Sequence, residues 1–166
     1  MNWRNRIGLP AIGAAAIAIA AATVGFFEGK ENQAYHDPVG VVTICYGHTA
    51  TARIGQTHSD AECEALLKQD LGKAFEAVDR HISVELPPTR EAALASFVYN
   101  VGEGAFARST LLRRLNAGQV REACDELLRW VHAGGIRLQG LVNRRLAERE
   151  LCLLDPDSAA ETVRSE

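Results

Sequence analysis

Residues 7–27 contain no charged side chain, and two arginines, Arg4 and Arg6, stand just before them. As a helix, these 21 positions extend ~30 Å, about the thickness of a bilayer's hydrocarbon core. The run is long enough to cross a membrane, yet eleven positions are Ala or Gly and only eight are Ile, Leu, Val or Phe. At roughly −0.3 to −0.6 kcal/mol each, those eight contribute about −2 to −5 kcal/mol before the glycines, Pro10 and Thr23 subtract from it. Insertion is therefore marginal. The arginines keep the N-terminus on the cytoplasmic side, which sends everything after Phe27 outward. The alternative is a cleaved signal peptide, with Ala20-Ala21-Ala22 as the cleavage region. Under both readings the rest of the chain is exported. The sequence divides into an anchor segment, 1–27, a domain, 28–154, and a tail, 155–166, expected to be disordered.

An exported chain meets oxidising conditions, so an even number of cysteines favours disulfides. Cys45, Cys63, Cys124 and Cys152 allow three pairings; proximity in sequence favours Cys45–Cys63 with Cys124–Cys152, and buried free thiols are the alternative. No cysteine lies in the apolar run, which excludes a redox switch there. Of 166 residues, 47% are apolar and 23% charged, enough for one domain with a core. The net charge of −3 is unevenly spread: residues 28–103 carry six Lys/Arg against twelve Asp/Glu, and 104–154 nine Arg against five acids. The basic half reads as helix faces laced with ion pairs, or as a surface for an acidic polymer. It lacks the aromatic-rich basic strip that nucleic acid would require.

Asp37-Pro38-Val39-Gly40 reads as a turn, and the β-branched and aromatic residues that follow it predict a small hairpin or sheet. Ser59-Asp60-Ala61-Glu62 has the capping-box form, and apolar residues at helical spacing then predict a long helix over 60–79. After Pro87-Pro88, a strongly apolar, core-buried helix is predicted over 89–101 and stopped by Gly102. Further helices are predicted over 109–118, over 120–133 with Gly134-Gly135 as the stop, and over 138–154. The expected class is α+β, a small mixed α/β lobe and a larger helical lobe joined by the long helix, with a ligand cleft between them.

Glu28 follows the apolar run directly, Asp37 lies nine residues on, and Thr43 six further. Two carboxyl groups and a hydroxyl are the equipment of glycoside hydrolysis. One acid must hold a proton for the leaving oxygen, and the other must be ionised to activate water or attack the sugar. Phe26 and Phe27 would desolvate Glu28 and raise its pKa, while Asp37 in a polar turn would stay ionised. Glu31 is a competing acid, and spacing alone does not decide between them. Tyr99 and Asn100 are cleft candidates. Trp130 reads as core rather than as a sugar platform, and Arg144-Arg145 as packing and salt bridges rather than glycan contacts. No histidine shows metal-ligand spacing.

The segment EGKENQAYHDPVGVVTICYGHT resembles the phage-type lysozymes of glycoside hydrolase family 24, with Glu28, Asp37 and Thr43 meeting that family's spaced Glu, Asp and Thr. The likeness continues through SFVYNVGEGAF at 96–106, STLLRRLNAG at 109–118, ACDELLRWVHAGG at 123–135 and GLVNRRLAERELC at 140–152. It implies a lysozyme-like fold and a muramidase acting without metal or cofactor. The bond cut is β-1,4, between N-acetylmuramic acid and N-acetylglucosamine. It further implies Glu28 as acid, Asp37 as base or electrostatic stabiliser, Thr43 as water-positioning group, and a structural His48–Asp70 contact. Inversion at the anomeric carbon is expected by the same likeness.

With its apolar start, the chain is also similar to signal-arrest-release endolysins of lambdoid-like phages or prophages. The likeness implies passage through the host export machinery, a state held in the host inner membrane, and a released, monomeric enzyme free in the periplasm to attack peptidoglycan and lyse the cell. Release moves three positive charges, the α-amino group, Arg4 and Arg6, against an inside-negative potential at roughly 7 kcal/mol per 100 mV. That exceeds the anchoring term, so collapse of the potential frees the segment. A lytic transglycosylase and a membrane-tethered, non-catalytic glycan-binding protein are the rival readings.

Overall fold

A computed structural model describes residues 13–154, so residues 1–12, with the first six positions of the apolar run, and the tail at 155–166 lie outside the described residues. From Ala14 the run is a helix, α1 (Ala14–Glu28), that packs on the domain. Ala16, Ala20 and Val24 recur every fourth position and are fully buried, so their small side chains let α1 lie close to the helices beneath it. The opposite face, Ala14, Ala15, Ala18, Ala22 and Phe26, is equally apolar and exposed. No helix among the described residues is long and apolar enough to cross a membrane.

Gly29, at φ 69°, ends α1 and turns the chain into β1 (Glu31–His36), which pairs antiparallel with β2 (Val42–Cys45). Tyr35 faces Thr43 across the ladder, and the register shifts between Glu31 and Tyr35. β1 is mostly exposed and polar, so it lacks the apolar alternation by which strands are read from sequence. The long helix α2 (Asp60–His81) follows, its start fixed by the Ser59/Glu62 capping box. α3 (Pro88–Val101) starts on Pro88, and every residue from Arg90 to Val98 is buried. It is the central helix, packed by α1, by α2 and by the last helix, α7 (Gln139–Leu153).

Between α3 and α7 run α4 (Glu103–Ala107), α5 (Thr110–Asn116) and α6 (Val120–Glu126). The helix predicted over 120–133 is corrected here. α6 ends at Glu126, a 3₁₀ turn covers Leu127–Arg129, and β3 (His132–Ala133) pairs with β4 (Ile136–Arg137). Gly134 and Gly135, at φ 56° and 78°, are the two central residues of this hairpin turn, which needs positive φ at both positions. They turn a hairpin rather than cap a helix. Two disulfides close the fold: Cys45–Cys63 ties the end of β2 to the first turn of α2, and Cys124–Cys152 ties α6 to α7.

Because Ala20 is fully buried beneath α1, Ala20→Leu should cost about 1–3 kcal/mol by overpacking. A lowered thermal midpoint together with reduced activity is expected. An unchanged midpoint would mean that α1 is not seated through Ala20.

Candidate active site

Glu28 is the last residue of α1, and its side chain turns toward α7. Arg144 Nη1 donates to its Oε1 at 2.5 Å. The same guanidinium, 3% exposed, donates through Nε to Glu148 Oε1 at 3.0 Å and through Nη2 to the Ser96 carbonyl at 3.1 Å. The Phe27 ring lies against it, with Arg144 Cζ 5.9 Å from the centroid. Glu148 is fully buried and also accepts from Ser96 Oγ at 2.7 Å and from Arg145 Nη1. Arg145 Nη2 donates to Asn100 Oδ1, and Arg145 Nε to the Trp130 carbonyl at 3.0 Å. Glu28 is therefore seated on a charged, fully hydrogen-bonded cluster rather than in the purely apolar surroundings its neighbours in sequence suggest. Phe26 is 82% exposed and desolvates nothing.

The other carboxylate of the candidate triad sits in the β1–β2 turn. Asp37 Oδ1 accepts from the Val39 and Val41 amides at 3.0 and 2.8 Å, which leaves Oδ2 without a protein donor among the described residues. The backbone thus fixes the carboxylate and aims its second oxygen. Thr43, on β2, is 4% exposed, and its hydroxyl donates to the Val41 carbonyl at 3.1 Å, so the oxygen retains lone pairs for an incoming donor. Glu31 is exposed on β1.

Beyond β2, a cavity of about 320 Å³ opens, lined among others by Gly47, His48, Asp70, Lys73 and Tyr99. Gly47 stands at φ 85°, and a Cβ there would lie 3.7 Å from Glu28 Oε2, so the acid adjoins one of the residues that line this cavity. His48 Nδ1 is 2.6 Å from Asp70 Oδ2, and His48 Nε2 accepts from the Thr51 amide at 3.2 Å, so the proton directed at Asp70 is on Nδ1. Asp70 also accepts from Lys73 Nζ at 3.0 Å. The pair bolts the loop after β2 to α2. Tyr99 on α3 donates to the Tyr46 carbonyl at 2.6 Å and holds the same loop from the other side. Burial, then the negative charges of Asp70 and Glu28, push the Tyr99 phenol well above its ordinary value of 10.0. Trp130 is half-buried, edge-on to Phe97 with ring centroids 5.2 Å apart. Among the described residues, no group of three or more His, Cys, Asp or Glu is arranged to hold a metal ion.

Arg144, read from the sequence with Arg145 as a salt-bridge residue, does form salt bridges, but spacing did not show its partner Glu28, 116 residues away. Its signal in the sequence is the grouping Arg144, Arg145 and Glu148, which puts three charges on one helix face. In α7 that face is buried, and so it needed a further anion.

An α+β body of helices and short hairpins, with Glu28 closing the first helix and Asp37 and Thr43 on the hairpin that follows, is that of a lysozyme-type hydrolase. The phage lysozyme family model matches residues 25–148. The SAR-endolysin of bacteriophage PS119 is 45% identical over 157 residues, covering 90% of this chain and 93% of that protein. The SAR-endolysin of Escherichia phage Mu is 41% identical over 144 residues, covering 80% and 84%. Among solved structures, the muramidase domain of SpmX from Asticaccaulis excentricus superposes with a TM-score of 0.78 at 35% identity, covering 87% of this chain and 99% of that one. The chain belongs to the phage lysozyme family and is a muramidase-type endolysin that degrades peptidoglycan.

Two outcomes follow from the site. Arg144→Lys keeps the charge but loses the planar fork, so kcat should fall while KM stays nearly constant. The Tyr99 phenol, protonated in the fold, contributes stability that is complete below pH 10.0 and is lost as pH rises toward its higher folded value. Ultraviolet titration should show one late-ionising tyrosine, absent in Tyr99→Phe.

Proposed function

We propose that Glu28 is the general acid, Asp37 the base or electrostatic stabiliser, and Thr43 the water-positioning group for hydrolysis of the β-1,4 bond from N-acetylmuramic acid to N-acetylglucosamine. Glu28 gives its proton to the leaving oxygen. Asp37, with Oδ1 already occupied by two amides, presents Oδ2 to a water or to the positive charge developing on the sugar. Thr43, whose proton goes to Val41, accepts from that water. The observation that carries this reading is the seating of Glu28 on Arg144, with its Oε2 beside Gly47 in the loop that follows the Asp37–Thr43 hairpin.

The packed α1 is the released form in this reading. In the host inner membrane, with the body in the periplasm, the helix lies in the bilayer, Glu28 is withdrawn from Arg144, and the enzyme is silent. Collapse of the membrane potential lets the segment leave and dock, which supplies the missing acid. The domain boundaries are those read from the sequence, an anchor over 1–27 and a catalytic body over 28–154. The released enzyme acts as a monomer.

Glu28→Gln should slow clearing of purified cell walls by about 10²–10⁴-fold while wall binding persists. Persistent clearing by this variant would end the acid assignment. Wild-type products should carry reducing muramic ends, whereas anhydro ends would mean a transglycosylase. Leucine at Ala14, Ala15, Ala18 and Ala22 together strengthens anchoring without touching the packed face. Lysis should be delayed, with the purified variant active; normal release timing would sink the release mechanism.

A further inference from the structure

The apolar residues of the described chain form two separate clusters. The larger fills the helical body and includes Ala16, Ala20 and Val24 of α1. The smaller, Ile44, Cys45 and Cys63, joins β2 to α2, with Ala34, Ala52 and Leu66 around it. Glu28 closes α1, on the first cluster, and Thr43 stands on β2, on the second. Among the described residues, one partly buried apolar side chain packs against both, that of Tyr46.

Tyr46 is set there by its turn. The Ile44 and His48 amides each donate to the other residue's carbonyl at 2.9 Å, which closes the chain tightly around Tyr46. Cys45, at φ 61°, is the only residue other than glycine with positive φ among the described residues. L residues rarely adopt that conformation, and it persists only where the surroundings hold it. Here the Cys45–Cys63 disulfide, the His48–Asp70 contact and the bond from Tyr99 to the Tyr46 carbonyl do so. The ring meets α1 at Gly25, where a Cβ would lie 3.7 Å from Tyr46 Cε1. Alanine at this place would touch the ring in ordinary van der Waals contact, whereas a longer side chain would drive it away. Gly47, the next residue, adjoins Glu28 Oε2. We infer that Tyr46 is a positioning residue, a wedge between the two clusters that sets Glu28 on α1 at its working distance from Asp37 and Thr43 on the hairpin. The inference rests on the roles proposed above for those three residues.

The test measures kcat and KM of the purified full-length chain on soluble peptidoglycan fragments, beside ultraviolet titration of its tyrosines. Tyr46→Ala should lower kcat by about 10–100-fold with KM nearly unchanged, since a misplacement of about 1 Å is worth up to ~10²-fold. Tyr46→Phe keeps the ring and should restore most of the wild-type kcat. Gly25→Leu should push the ring from its seat and lower kcat. Adding Tyr46→Ala to it should return part of that loss, because one side chain then fills the space the other vacates. The late-ionising Tyr99 phenol should persist in Tyr46→Ala, because its acceptor is the main-chain carbonyl of residue 46. Unchanged kcat in Tyr46→Ala overturns the inference. So does an equal loss in Tyr46→Phe, or a double variant in which the two losses simply add. A fall in kcat that comes with loss of the Tyr99 signal marks collapse of the loop and overturns it as well. Failure of the site reading looks different: Glu28→Gln would then keep its kcat in the same assay.

Discussion

The Arg144–Glu148–Arg145 cluster is the interaction on which the arrangement depends. Two guanidinium groups and one carboxylate, all 3% exposed or less, leave an excess positive charge inside the protein. Desolvating such a charge is costly unless a counter-ion and hydrogen bonds are supplied, and removing one partner of a buried ion pair typically costs about 3–5 kcal/mol. Glu28 supplies the counter-ion. The cluster in turn holds the Glu28 side chain beside Gly47. One contact between α1 and α7 thereby satisfies the helical half and fixes where the Glu28 carboxyl group stands.

α1 has to satisfy more than this docking. In the proposed anchored state its sequence must be apolar enough to enter a bilayer marginally, and in the packed state it is small enough on one face to lie against α3. Alanine does both. It has the best helix propensity and fills little space. An amphipathic helix would pack on the domain more firmly, but it could not be sheathed in lipid on every side. The exposed Phe26 fits the same proposal, as a residue suited to lipid that the packed state leaves facing solvent.

Much of the fold was written locally. The capping box at Ser59, the proline start of α3 and the turn at Asp37 each announced the element they begin. The misread stretch shows what local signals lack. Gly134-Gly135 ends a helix or turns a hairpin with equal ease, and strands of two residues are too short to display alternation. β1 carries no strand signal of its own, its residues being polar on both faces, and was implied only as the first arm of the expected hairpin. For the site, Glu28, Asp37 and Thr43 stood out through the wording of the whole segment rather than through their spacing. Arg144 required the tertiary structure, because a partner 116 residues away leaves no periodic trace.

Asp37 is oriented by main-chain amides, not by neighbouring side chains. The identities of Pro38 and Val39 therefore matter less than their number. Both are exposed, and what the carboxylate grips is the peptide planes at fixed offsets along the chain. Drift at these two positions is tolerable to the chemistry, whereas an insertion or deletion of a single residue between Asp37 and Val41 would unhook the oxygen and let it swing. In this loop, natural variation is free to change letters but not to change length.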